Sequence, residues 1–157
     1  MNHKICIRRE KPGMGLRQVR HFIRRGAECT LLSQGITVPC EVSVLLTDDL
    51  GIQGINKQHR QIDRPTDVLS FPNYEMSPGV FNIDKGIGRV FLGDMILSLE
   101  RASCQAEQYG QSAYDEIAYL TIHSVLHLLG YDHLDEGPEK KEMRCCEKKA
   151  LEIFRRL

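Results

Sequence analysis

Three histidines fall within one short run near the end of the chain, His123, His127 and His133 in HSVLHLLGYDH. Residues four apart on a helix lie one above the other, so His123 and His127 can aim two ring nitrogens at one point. Gly130 follows as the expected helix-ending residue, because glycine takes the left-handed conformation without a side-chain penalty. The chain can then reverse and return His133 to the same place. Imidazole nitrogens are metal ligands. Three of them leave the fourth tetrahedral position of Zn²⁺ open, which is the arrangement of a catalytic rather than a structural zinc. Three imidazoles also suit nickel or manganese.

These offsets resemble the zinc-binding spacing of metzincin proteases, H-E-x-x-H-x-x-G-x-x-H, with one departure. Ser124 stands where those enzymes place the glutamate that deprotonates the metal-activated water. A serine hydroxyl cannot take that proton at neutral pH, which disfavours peptide hydrolysis by that route. What remains is a Lewis-acidic cation with a bound water whose pKa is lowered towards ~7. Such a site suits attack on a phosphodiester or acyl centre, or activation of a ribose hydroxyl. Phosphodiester cleavage also needs positive charge against the developing anion, and the planar fork of arginine supplies it well. Lys57, Arg60 and Arg64 lie together just before an apolar run. Charge alone reads that cluster as solvated surface.

Several elements must position these groups. Alternation around Ile5 and Ile7 predicts a short strand, and Val19, Phe22, Ile23, Ala27 and Leu31 follow helical spacing over 17–33, before Gly35. Glu41 to Thr47 reads as a strand. Asp48 is placed to cap a helix from Asp49 to about Gln58. Thr66 to Phe71 reads as a strand stopped by Pro72, the polar segment 73–86 as a mobile loop, and Arg89 to Leu97 as a fourth strand. Ser98 opens a helix reaching Tyr109, ahead of Gly110. Ser112 and Asp115 form a capping-box signature for a helix running to Leu129. That helix is apolar on most sides and so expected to be buried, with only Glu116, Tyr119, His123 and His127 forming a polar stripe. A charged amphipathic helix over 137–156, with Met143, Cys146, Ala150, Ile153 and Phe154 inward, completes the chain. The expectation is a single α+β domain over residues 1–157, an about four-stranded mixed sheet packed with helices, and a metal site at the C-terminal end of the buried helix.

At 157 residues and 17.9 kDa the chain can bury a substantial core. Lys plus Arg equals Asp plus Glu at 21 each, so attraction to nucleic acid must come from a local patch. Six cysteines form no C-x-x-C pair, and the N-terminus has no apolar signal-peptide core. Free thiols in a reducing cytoplasm are expected. No run reaches the ~18 apolar residues of a membrane span, so no membrane association is expected.

Three blocks taken together resemble the YbeY family of bacterial metal-dependent endoribonucleases, also described as rRNA maturation factors. They are 123–133, which matches the pattern H-G-x-L-H-L-x-G-Y-D-H except for Ser124; Asn56-Lys57-x-x-Arg60-x-x-Asp63-x-Pro65-Thr66-Asp67-Val68-Leu69-Ser70-Phe71-Pro72; and Leu92 to Ser98. The resemblance is strong over about residues 40 to 135. It implies one Zn²⁺ bound by His123, His127 and His133, and a catalytic role for Arg60 beside them. It also implies single-stranded RNA as substrate, notably near the 3′ end of small-subunit rRNA, and the ribosome or its small subunit as partner. Ser124 projects about 100° round the helix from His123, away from the ligand point, but it can crowd a contact that glycine permits. Asp132 either orients a ligand imidazole or caps the turn. Thr66, Asp67 and Ser70 are expected to organise the cleft wall, and Asp94 to be a structural strand-end residue. Arg17, Arg20, Arg24 and Arg25 read as a solvated helix face, with an extended RNA track as the alternative. Two competing functions stay open: a metallohydrolase acting on peptides or small molecules, and a non-catalytic ribosome assembly factor with structural zinc.

Overall fold

Alternating apolar residues in Cys40–Thr47 turn every second side chain inward, which makes this segment (β2) an interior strand. Around it the computed structural model describes residues 2–83, 86, 88–133 and 136–157. In chain order the other elements are β1 (Lys4–Arg9), α1 (Arg17–Ser33), α2 (Asp49–Arg60), β3 (Val68–Pro72), β4 (Val90–Ser98), α3 (Leu99–Tyr109), α4 (Ala113–Leu128) and α5 (Pro138–Arg156). The sheet order is β1-β2-β4-β3, with β3 alone antiparallel to its neighbour. The mixed four-stranded α+β fold is the one expected.

The boundaries follow local chemistry. Asp48, Ser98 and Ser112 each accept a backbone N–H from the first turn of the helix they precede, at 2.9, 3.2 and 3.1 Å. β3 begins at Val68 rather than Thr66, because the Asp67 carboxylate takes the Val68 N–H at 2.7 Å. Pro72 ends the strand from inside it, opposite Gly93, on a sheet edge where a missing N–H is tolerated.

α4 is the buried helix. Ile122, Val125, Leu126 and Leu128 are fully enclosed, between α1 and α5 and against the sheet. Gly26 of α1 allows the close approach, since a Cβ there would lie 3.3 Å from the Ala118 carbonyl oxygen. The segment after β3 is more ordered than its polar composition suggests. Tyr74, Met76, Phe81 and Ile83 pack on the core, and Ser77 and Val80 form an antiparallel bridge. Asp84 and Lys85, within the predicted loop, lie outside the described residues. All six cysteines are free thiols. Among the described residues no helix is long and apolar enough to cross a membrane.

Candidate active site

The polar stripe of α4 delivers two of the three imidazoles. His123 Nε2 and His127 Nε2 lie 3.0 Å apart. α4 ends at Leu128 with Leu129 as its cap, Gly130 takes φ +96°, and the Tyr131 N–H returns to the Leu126 carbonyl at 3.1 Å. This turn brings the His133 ring to 5.9 Å from each of the other two, and one nitrogen from each ring lies within 4.8 Å of the others. A Cβ on Gly130 would sit 2.2 Å from the Met76 carbonyl oxygen, so glycine is what lets the segment after β3 close on the turn.

The outward nitrogens set the tautomers. His127 Nδ1 lies 2.7 Å from the Tyr131 carbonyl oxygen. A carbonyl only accepts, so Nδ1 carries the hydrogen and the neutral ring keeps its lone pair on Nε2. His123 Nδ1 lies 2.6 Å from Glu147 Oε1, which fixes that ring the same way. Two lone pairs facing each other at 3.0 Å repel unless a cation lies between them. Ligand nitrogens at ~2.0–2.1 Å from a tetrahedral ion are separated by about 3.3 Å, so the pair is close to that spacing. The donor set therefore fits a metal ion. Burial, and then the neighbouring His123, hold the His127 pKa below the usual imidazole value, keeping it in the ligating form.

Glu147 is the functional residue that sequence reasoning missed. It is only 7% exposed and its other oxygen accepts from the Tyr119 hydroxyl at 3.4 Å. Burial, and then the charge of Glu147, push the Tyr119 hydroxyl up to about 12, so it stays a donor. The signal was present: Met143, Glu147, Ala150 and Phe154 form one buried stripe of α5, and a carboxylate on such a stripe needs a partner. Asp132 takes the other of its two expected roles. Its Oδ1 accepts the His133 N–H at 2.8 Å and stands 3.9 Å from His127 Nδ1, so it caps the turn.

The imidazoles open on a cleft of about 950 Å³, with Arg60, Asp67, Ser70, Tyr74 and Met76 on its walls. Arg60 is the last residue of α2. Gln61 follows in the left-handed region at φ +59°, and buried Asn56 holds the next loop by donating to the Arg64 carbonyl at 2.9 Å. Arg60 Nη2 donates to the Ser70 carbonyl at 3.3 Å, which orients the guanidinium over β3 while the group stays exposed. Ser70 and Ser124 pair their hydroxyls at 2.7 Å, both buried. Ser124 therefore crowds nothing in the cleft and instead ties α4 to β3. Asp67 organises the wall as expected, accepting from Val68 N–H, Thr66 Oγ1 and Gln105 Nε2. Asp94 lies in the middle of β4 opposite Phe71, a correction to its expected strand-end position, because β4 continues to Ser98. Arg25 is also not part of a solvated face: its guanidinium lies 4.6 Å from the Phe154 ring centre and donates to the Phe154 carbonyl.

Three imidazoles converging in an open cleft, on a mixed sheet with a buried helix, place the molecule among α+β proteins with a cluster able to hold a metal ion. The chain belongs to the endoribonuclease YbeY family, whose model matches residues 4–155. An Endoribonuclease YbeY from Clostridium kluyveri is 40% identical over 138 residues, covering 81% of this chain and 84% of that protein. One from Pelotomaculum thermopropionicum is 44% identical over 130 residues, covering 83% and 82%. The solution structure of TM1509 from Thermotoga maritima superposes with a TM-score of 0.62 at 29% identity, covering 96% of this chain and 88% of that one.

Proposed function

We propose that this protein is a metal-dependent endoribonuclease that cuts single-stranded RNA, with Zn²⁺ held by His123, His127 and His133. It acts in the cytoplasm, in maturation of the 3′ end of small-subunit rRNA and in ribosome quality control. The observation that carries the reading is the convergence of ring nitrogens, set in tautomer by Glu147 and Tyr131, in the same cleft as Arg60. When bound, the ion supplies a Lewis acid for a phosphate oxygen or for the attacking water. Arg60 holds a phosphate by its free guanidinium edge, since its other edge is fixed on Ser70. Glu147 keeps the His123 proton on Nδ1, and Tyr131 does the same for His127.

The alternatives fit less well. A peptidase of metzincin type needs a base at position 124, where this chain has a buried serine already bonded to Ser70. A purely structural ion needs a closed ligand shell, whereas these imidazoles line an open cleft. The test incubates the metal-analysed protein with single-stranded rRNA fragments and with a denatured protein, beside His127→Ala and Arg60→Glu. RNA cleavage lost in both variants is the expected result. Proteolysis abolished by His127→Ala alone overturns the reading in favour of a peptidase. Ribosome binding without cleavage of either substrate overturns it in favour of an assembly factor.

A further inference from the structure

On the opposite edge of the sheet, Arg9 at the end of β1 and Arg17, Arg20 and Arg24 on α1 surround a second hollow, of about 440 Å³. Leu16 and Gly15 complete its lining; Gly15, at φ +66°, makes the turn, where a Cβ would lie 2.3 Å from the buried Leu46 side chain. Arg20 is fixed by donating to the Ile7 carbonyl at 3.3 Å, while Arg9, Arg17 and Arg24 are exposed.

The charge in this hollow is unbalanced. Among the described residues none of the four guanidinium groups has a carboxylate within 4.0 Å. Lys4, Lys11, Lys57 and Arg101 elsewhere each pair with one. The start of α1 adds to the same field, since it has no acidic residue in its first turn and no side-chain cap. In a chain with 21 basic and 21 acidic residues, this is a segregated patch and not a share of a general excess. Four like charges around one concavity repel each other unless an anion joins them. Arginine's fork matches phosphate oxygens two at a time.

The position of the hollow determines what fills it. The far end of α1 is tied to the imidazole turn, where the Tyr131 hydroxyl donates to Gln34 Oε1 at 2.7 Å. From there back to Arg17 the helix runs about 25 Å at ~1.5 Å per residue. That span is long enough for a short A-form RNA helix to lie between the hollow and the imidazole turn. We infer that the arginine hollow is a second phosphate-binding site, which grips the sugar-phosphate backbone of a folded RNA segment while an adjoining single strand occupies the cleft. This inference rests on the RNA-cutting reading of the cleft. It makes the preferred substrate a structured RNA and not a short oligonucleotide.

Arg17→Ala with Arg24→Ala tests it, since these side chains bond to nothing else among the described residues and a thermal melt checks the fold. Binding of a stem-containing rRNA fragment is followed by fluorescence anisotropy across a salt series, and cleavage is followed with that fragment and with an unstructured oligonucleotide a few nucleotides long. Affinity for the structured fragment should fall about tenfold at low salt, and the slope of log K against log salt should shrink by about 1.4 to 1.8. KM for that fragment should rise in step, with kcat, metal content and short-oligonucleotide cleavage unchanged. Binding and salt slope equal to wild type overturn the inference. So does loss of binding to polyglutamate with RNA binding intact, which would assign the hollow to an acidic protein partner. If the wild-type protein cuts no RNA, the cleft reading fails, and the anisotropy series still decides the hollow.

Discussion

At the scale of single residues, the outer nitrogens of the imidazoles matter as much as the inner ones. Glu147→Gln keeps the shape but removes the charge that holds the His123 proton on Nδ1. Metal affinity should drop about 10–100-fold, read by competition with a chromophoric chelator. Ser124→Ala should leave the Ser70 hydroxyl buried without its partner and cost about 1–3 kcal/mol in a denaturant titration. Ser124→Gly, which restores the family glycine, adds a further ~1 kcal/mol for glycine inside a helix, so the two substitutions are expected in that order. The pH response follows from His127. Its folded pKa lies below the ordinary 6.5, chiefly because burial disfavours the charged ring. Between the lowered value and 6.5 the unfolded chain binds more protons, so the stability of the metal-free protein rises with pH across that window. His127→Gln should flatten that rise in melts recorded under chelator.

At the scale of elements, the turn after α4 and the segment after β3 are locked together at one backbone contact. Gly130→Ala meets both a positive φ and the Met76 carbonyl, so about 2 kcal/mol or more of stability should be lost, with displacement of the Met76 wall of the cleft. Loss of cleavage well beyond loss of fold is the expected assay result. α4 also carries Glu116, which is buried and accepts from the Gln111 side-chain amide; burial raises its pKa above the usual carboxylate value. The folded chain holds that proton longer than the unfolded one, so this group makes stability fall as pH rises through its range. Glu116→Gln should remove that slope. The helices themselves were legible in the sequence, because Asp48, Ser98 and Ser112 are local signals and the burial of α4 is visible in its composition. The metal cluster was legible for the same reason, since offsets of four on a helix and a glycine reversal are short-range geometry. Glu147 was legible only as a carboxylate on the buried stripe of α5; its pairing with His123 was not, because that partner lies 24 residues away on another helix. The packing of Tyr74 and Met76 was hidden too, in a segment whose polar residues read as loop.

For the whole molecule, an ion at the imidazole cluster joins α4 to the chain beyond its end, so binding should stabilise the fold as well as the chemistry. At a free-ion concentration about 100 times Kd the gain is about 2.7 kcal/mol. A chelator should lower the melting temperature, and His133→Ala should remove most of the difference between loaded and stripped protein. Arg17, Arg20 and Arg24 were visible in the sequence as a basic helix face with an RNA track as the alternative, but the hollow was not, because Arg9 joins them only once β1 lies beside the start of α1. The sheet's two outer strands carry a separate consequence. β1 ends in Arg8 and Arg9 and begins with Lys4, while β3 is five residues long and closes on Pro72. Charge at one border and brevity with proline at the other discourage a foreign strand from zipping on. Crowded solutions of the protein should therefore stay clear of fibrils, even though its central strands are among the most apolar stretches it has.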